Sequence, residues 1–161
     1  MDTLEELRDQ RAELDMKIEL LEYAESTFKE GEVFWFVDAY GNIQQARWNE
    51  SLWIKHCFYQ GHIFKTEKEA RLEAQRRNLL QRFKMFRDKC NDGWKPDWKD
   101  FEQDKYYLFC SIVENRIKVD CANFGDYFYN FGHFKNEEDA ERAIELFGDE
   151  IKELFVDCEG R

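Results

Sequence analysis

Apolar side chains first recur at Leu4, Leu7, Leu14, Ile18, Leu21 and Phe28, in alternating steps of three and four. Arg11 and Glu25 fill the two remaining slots of that stripe, and Glu and Lys dominate the other positions. A heptad-like seam of this kind predicts a helix over residues 2–30, closed by Gly31, and allows pairing with a second helix. The pattern then changes. Glu32–Val37 is aromatic and β-branched, Asp38–Asn42 carries a Gly-Asn turn, and Ile43–Trp48 alternates, so a hairpin is expected. The aromatic run Trp53–Phe64 reads as a third strand, broken at Gly61. From Glu67 to about Lys89 the helical period returns, with Leu72, Leu79, Phe83 and Phe86 as the buried stripe.

The same order is then written again. Tyr106–Val113 and Arg116–Cys121 predict two strands around a tight turn at Glu114-Asn115, and Asp126–Phe134 predicts a third. A helix from Glu137 to about Phe155 would bury Ala140, Ala143, Ile144, Phe147, Ile151 and Leu154. Phe64, Lys65, Glu67 and Ala70 recur as Phe134, Lys135, Glu137 and Ala140, each 70 positions on. Thr66 with Glu69, and Asn136 with Asp139, stand where each helix would be capped reciprocally. The expectation is an α+β protein in four segments. Residues 1–31 form a helix and 32–90 a β-β-β-α unit. Residues 91–105 form a link whose Trp94, Trp98 and Phe101 would pin the units together. Residues 106–161 form a second β-β-β-α unit. Two copies make a duplication, not a solenoid.

Composition sharpens this picture. One Pro and 8 Gly in 161 residues argue against disorder, and aromatics reach 17%. The five cysteines are odd in number and scattered, and the acidic N-terminus lacks an apolar core segment. Both fit reduced thiols in the cytoplasm. The net charge of −11 is uneven: −6 over residues 1–31, +4 over 66–90 and −7 over 136–161. An acidic balance suits solubility or docking on a basic partner.

Catalytic signals are sparse. There is no Gly-rich phosphate loop, nucleophile elbow or Cys-x-x-Cys pair. His56-Cys57, read as strand neighbours, would point to opposite faces. His62 and His133 occupy matching places in the two copies, which ties them to the fold. No enzyme, cofactor or metal site is expected. Two charged helix faces remain. Glu138, Glu141, Glu145 and Asp149 line one face of the last helix, and carboxylates so spaced can imitate phosphates in a basic groove of a partner protein. Glu5, Asp9, Glu13, Glu19 and Glu22 decorate the first helix similarly. Arg71, Arg77, Arg82, Lys84 and Lys89 could instead track a DNA backbone over about 27 Å, or be offset by acids of the first and last helices.

The run Glu32–Val37, the Gly-Asn turn, Arg47-Trp48-Asn49, and Gly61–Ala70 before a Lys/Arg-rich helix resemble small accessory proteins of phages and prophages of Gram-positive bacteria. The likeness covers about residues 1–110 and is clearest over 32–90. The subset it suggests is the type II anti-CRISPR inhibitors. It implies a non-enzymatic protein that blocks a host defence complex in the cytoplasm of the infected cell, with a Cas9-type RNA-guided nuclease as the leading target. It carries over no catalytic residue. Two alternatives stand beside it: a DNA-binding module using the helix 67–89, and an assembly protein dimerising through residues 1–31.

Overall fold

A computed structural model describes residues 3–123 and 130–159. The chain is α+β. Helix α1 (Leu4–Thr27) leads into strands β1 (Val33–Val37) and β2 (Ile43–Arg47), helix α2 (Leu52–Tyr59) and the short strand β3 (Ile63–Phe64). Helix α3 (Glu67–Asn91), the strands β4 (Tyr106–Ser111) and β5 (Arg116–Cys121) and helix α4 (Glu137–Phe155) follow. No helix among the described residues is long and apolar enough to cross a membrane. The chain divides into two compact units, residues 1–74 and 75–161. The division falls inside α3, whereas the sequence suggests one in the 91–105 link.

In the first unit β1 is the central strand of an antiparallel sheet ordered β2-β1-β3. Val33 pairs with Arg47 and Val37 with Ile43 on one side, and Trp35 pairs with Phe64 on the other. The hairpin is closed by Asp38, whose carboxylate accepts the backbone N–H groups of Tyr40 at 2.8 Å and Asn42 at 2.9 Å. Gly41 takes the left-handed φ of 83° that this turn needs. The core is aromatic. Phe28 stacks on Trp48 with centroids 4.9 Å apart, and both meet the edge of Phe34. Ile54 and Ile63 complete the buried cluster, with Cys57 and Phe58 packed against it. Burial raises the Cys57 thiol above its usual range.

The expected third strand over Trp53–Phe64 is mostly wrong. Residues 52–59 are helix, and only Ile63 and Phe64 pair as strand. The reason lies at Ser51, which has extended backbone and accepts the N–H of Ile54 on its hydroxyl at 3.4 Å, an N-cap. Ile54, Cys57 and Phe58 are then spaced three and four apart and meet the core from one helical face. His56 and Cys57 are therefore helix neighbours, not strand neighbours. The first reciprocal cap forms as expected: Thr66 N donates to Glu69 Oε2 at 3.1 Å, and Glu69 N to Thr66 Oγ1 at 3.2 Å. Thr3 and Glu6 make an unforeseen second example at the start of α1.

The second unit owns most of α3, because Phe83 and Phe86 pack there. Phe83 lies 4.8 Å from Phe131, 5.7 Å from Phe134 and 5.4 Å from Phe147, and Phe86 lies 5.8 Å from Phe147. Strands β4 and β5 form an antiparallel hairpin from Tyr106↔Cys121 to Ser111↔Arg116, turned at Asn115 with φ 51°. Residues 126–129 of the expected strand Asp126–Phe134 lie outside the described residues. Phe134 bridges Tyr106 through a reciprocal backbone pair of 3.1 and 2.7 Å. Beside this bridge, buried Asn91 donates its Nδ2 to His133 O at 2.8 Å and accepts Lys135 N on Oδ1 at 2.9 Å. It serves the backbone as a neighbouring strand would. The cap expected from Asn136 does not form. Its side chain accepts no backbone N–H of the first turn and donates to Asp139 Oδ2 at 3.1 Å instead. Asp139 is a methylene shorter than Glu69 and does not reach back.

The stretch 91–105 belongs to the second unit. Its anchor is Lys105, fully buried, whose ammonium donates to the carbonyls of Asp100 at 2.9 Å and Gln103 at 2.7 Å. The same ammonium lies 5.3 Å from the ring of Trp98, which packs edge-on to His133 at 5.0 Å. Phe101 points outward, 61% exposed.

Candidate partner-binding surface

Helix α4 sorts its residues by face. Ala140, Ala143, Gly148, Ile151 and Leu154 are buried. Glu138, Glu141, Glu145 and Asp149 are all exposed, at steps of three, four and four. Along the helix they span about 16 Å, three turns, with neighbours about 5–6 Å apart. Among the described residues none of the four takes part in an ion pair. Glu153, four residues past Asp149, is exposed too and lengthens the row. The same four-residue spacing would have found it in the sequence.

A row of unpaired carboxylates on a helix is held apart by backbone geometry, so its mutual repulsion cannot relax by moving the side chains far. A cationic surface would relieve it. Two other acids on α4 are engaged instead: Glu150 pairs with Arg82, and half-buried Asp139 accepts from Asn136.

The cations of α3 are used differently. Arg82 holds Glu150 and Asn78 and lies 5.7 Å from the Phe147 ring. Arg71 pairs with Glu67 a turn earlier on its own helix. Arg77 is half-buried, and Lys84 and Lys89 are exposed. Two arginines that the charge pattern did not single out do the most. Arg76 donates its Nε to Leu154 O at 2.8 Å, a last-turn carbonyl of α4 that also accepts the Cys158 thiol at 2.8 Å, and covers the Phe155 ring at 5.2 Å. Arg87 donates to Phe131 O at 3.0 Å and pairs with Asp88. Of the five expected DNA contacts, Arg71 and Arg82 hold the carboxylates of Glu67 and Glu150 in exposed ion pairs.

The five cysteines are free thiols. Cys90 and Cys121, like Cys57, are pushed above the ordinary thiol range, chiefly by burial. Among the described residues no group of three or more His, Cys, Asp or Glu side chains converges as metal ligands would. No protein-family profile, curated protein or solved structure matches the chain.

Proposed function

We propose that this chain is a non-enzymatic binding protein that lays the acidic face of α4 on a cationic surface of another protein. What supports the reading most is the row Glu138, Glu141, Glu145 and Asp149, exposed over three turns without an internal cation. In the same unit Arg76, Arg82 and Arg87 are engaged with carbonyls, carboxylates and rings. Three arginines of the second unit are thus engaged within it, while the carboxylate row faces outward. Carboxylates spaced along a rigid helix suit a groove that otherwise holds a phosphate backbone. The likeness to phage accessory proteins names the partner class: a host defence nuclease of the Cas9 type, met in the cytoplasm of an infected bacterial cell.

The test is binding and cleavage with a purified Cas9-type nuclease and its guide RNA. The chain is expected to bind, to inhibit cleavage and to weaken as salt rises, because the contact is between opposite charges. Neutralising the row (E138Q, E141Q, E145Q and D149N together) is expected to reduce affinity at least tenfold, mostly through slower association. Absence of binding and of inhibition would remove this partner. Binding that ignores the four substitutions would remove the acidic face.

A further inference from the structure

Helix α1 has no packing partner along most of its length. Every residue from Thr3 to Leu20 is exposed. The seam leucines and isoleucine share that state: Leu4 at 66%, Leu7 at 50%, Leu14 at 58% and Ile18 at 52%. The helix is fastened near its C-terminal end, where Phe28 enters the aromatic core, Glu25 pairs with Lys55 of α2 at 2.7 Å, and Tyr59 donates to Lys17 O at 3.1 Å. Ahead of Met16, where α2 first approaches it, α1 is exposed on every face, and such a stretch is marginal as a helix in water, since helices in proteins take most of their stability from burying an apolar face.

We propose that a second copy of this chain covers α1, the two helices pairing antiparallel. This goes beyond the reading of α4 and does not rest on it. The seam itself selects the partner and the direction. Its last two slots, Glu25 and Phe28, are consumed inside the first unit. The seam ahead of them runs from Leu4 to Leu21, exposed as far as Ile18 and half-buried at Leu21, and its midpoint falls between Arg11 and Leu14. Antiparallel pairing about that midpoint overlaps all six of these seam positions, over about 26 Å. It sets Leu4 against the partner's Leu21, Leu7 against the partner's Ile18, and Arg11 against the partner's Leu14. Arg11 then lies within reach of the partner's Asp15, as it already lies 3.6 Å from its own.

The flanks agree. In the antiparallel register Arg8 faces the partner's Asp15, and the twofold axis repeats that pair. In a parallel register Arg11 would face the partner's Arg11 in the centre of the seam, a like-charge contact that the antiparallel register avoids.

Light scattering and sedimentation on the full chain test this. A dimer is expected at tens of micromolar. Leu14→Asp is expected to leave a folded monomer by circular dichroism, because Leu14 is exposed within its own chain. Arg8→Asp and Asp15→Arg should each weaken the dimer, since each places like charges together twice. Mixing these two variants should restore a heterodimer, because every Arg8–Asp15 contact is then between opposite charges. A wild-type chain that stays monomeric at 100 micromolar and 0.15 M salt overturns the proposal, and a helix of another protein becomes the occupant to seek. A dimer indifferent to Leu14→Asp overturns the seam. A dimer in which the mixed variants gain nothing overturns the antiparallel register.

Discussion

Gly61 and Gly132 stand at matching places in the duplicated segment, each before a histidine, and each has φ 68°. Their surroundings differ. A Cβ at Gly61 would meet nothing within 4 Å, whereas one at Gly132 would lie 2.3 Å from Arg87 Nη1 and 3.2 Å from its Cζ. Alanine at either site pays for the left-handed backbone, roughly 1–2 kcal/mol. At Gly132 the guanidinium must also leave, and its 3.0 Å bond to Phe131 O goes with it. A hydrogen bond from a charged donor contributes about 1.5–3 kcal/mol. The expected cost is therefore about 1–2 kcal/mol for Gly61→Ala and about 2.5–5 kcal/mol for Gly132→Ala. Amide hydrogen exchange reads the two units separately, at Val33–Arg47 and at Tyr106–Cys121. The excess at Gly132 should appear as roughly tenfold or more faster exchange in the second hairpin than Gly61→Ala causes in the first. In an Arg87→Met background the cost of Gly132→Ala should fall towards that of Gly61→Ala. Equal costs in the wild-type background, or no coupling to Arg87, would refute the reasoning.

Asn91→Ala removes the partner of both His133 O and Lys135 N, so the second unit should lose about 2–4 kcal/mol in urea unfolding, while the first hairpin's exchange stays unchanged. Asp38 should titrate below the ordinary aspartate range in a carboxyl-detected NMR titration, because the Asn42 N–H, with help from Tyr40, favours its ionised form. The sign follows. A lowered folded pKa gives a stabilisation that is complete above the unfolded value of about 3.9 and is lost as pH falls through the folded value, so the β1–β2 turn should loosen only on acidification. An Asp38 that titrates at or above the ordinary value would contradict the turn geometry.

Much of this fold is written in local spacing. The α1 stripe, the Asp38–Asn42 turn and the buried face of α4 each follow from neighbours three, four or two positions apart. The segment 53–64 was misread because its aromatic density suggests a strand. The helix signal there is brief: Ser51 three residues before Ile54, then Cys57 and Phe58. The ownership of α3 was not legible. Its period tells that Phe83 and Phe86 are buried but not against which unit, and their partners lie more than 40 residues away at Phe131, Phe134 and Phe147. Asn91 and Lys105 were opaque for a related reason. Nothing local distinguishes a polar residue that replaces a strand partner, or a lysine that gathers the carbonyls of its own loop, from a solvated one. The acidic row was legible because exposure on a helix follows from spacing alone. The engagement of Arg76 and Arg87 with distant carbonyls was not.

The most direct measurement compares the wild-type chain with the E138Q/E141Q/E145Q/D149N variant for binding to a guide-loaded Cas9-type nuclease at two salt concentrations. All four side chains are exposed, so the variant should fold as the wild type does. The wild type should bind tightly and with strong salt sensitivity, and the variant should lose at least tenfold in affinity with the salt dependence much reduced. Equal affinity of the two chains, or no binding by either, would contradict it.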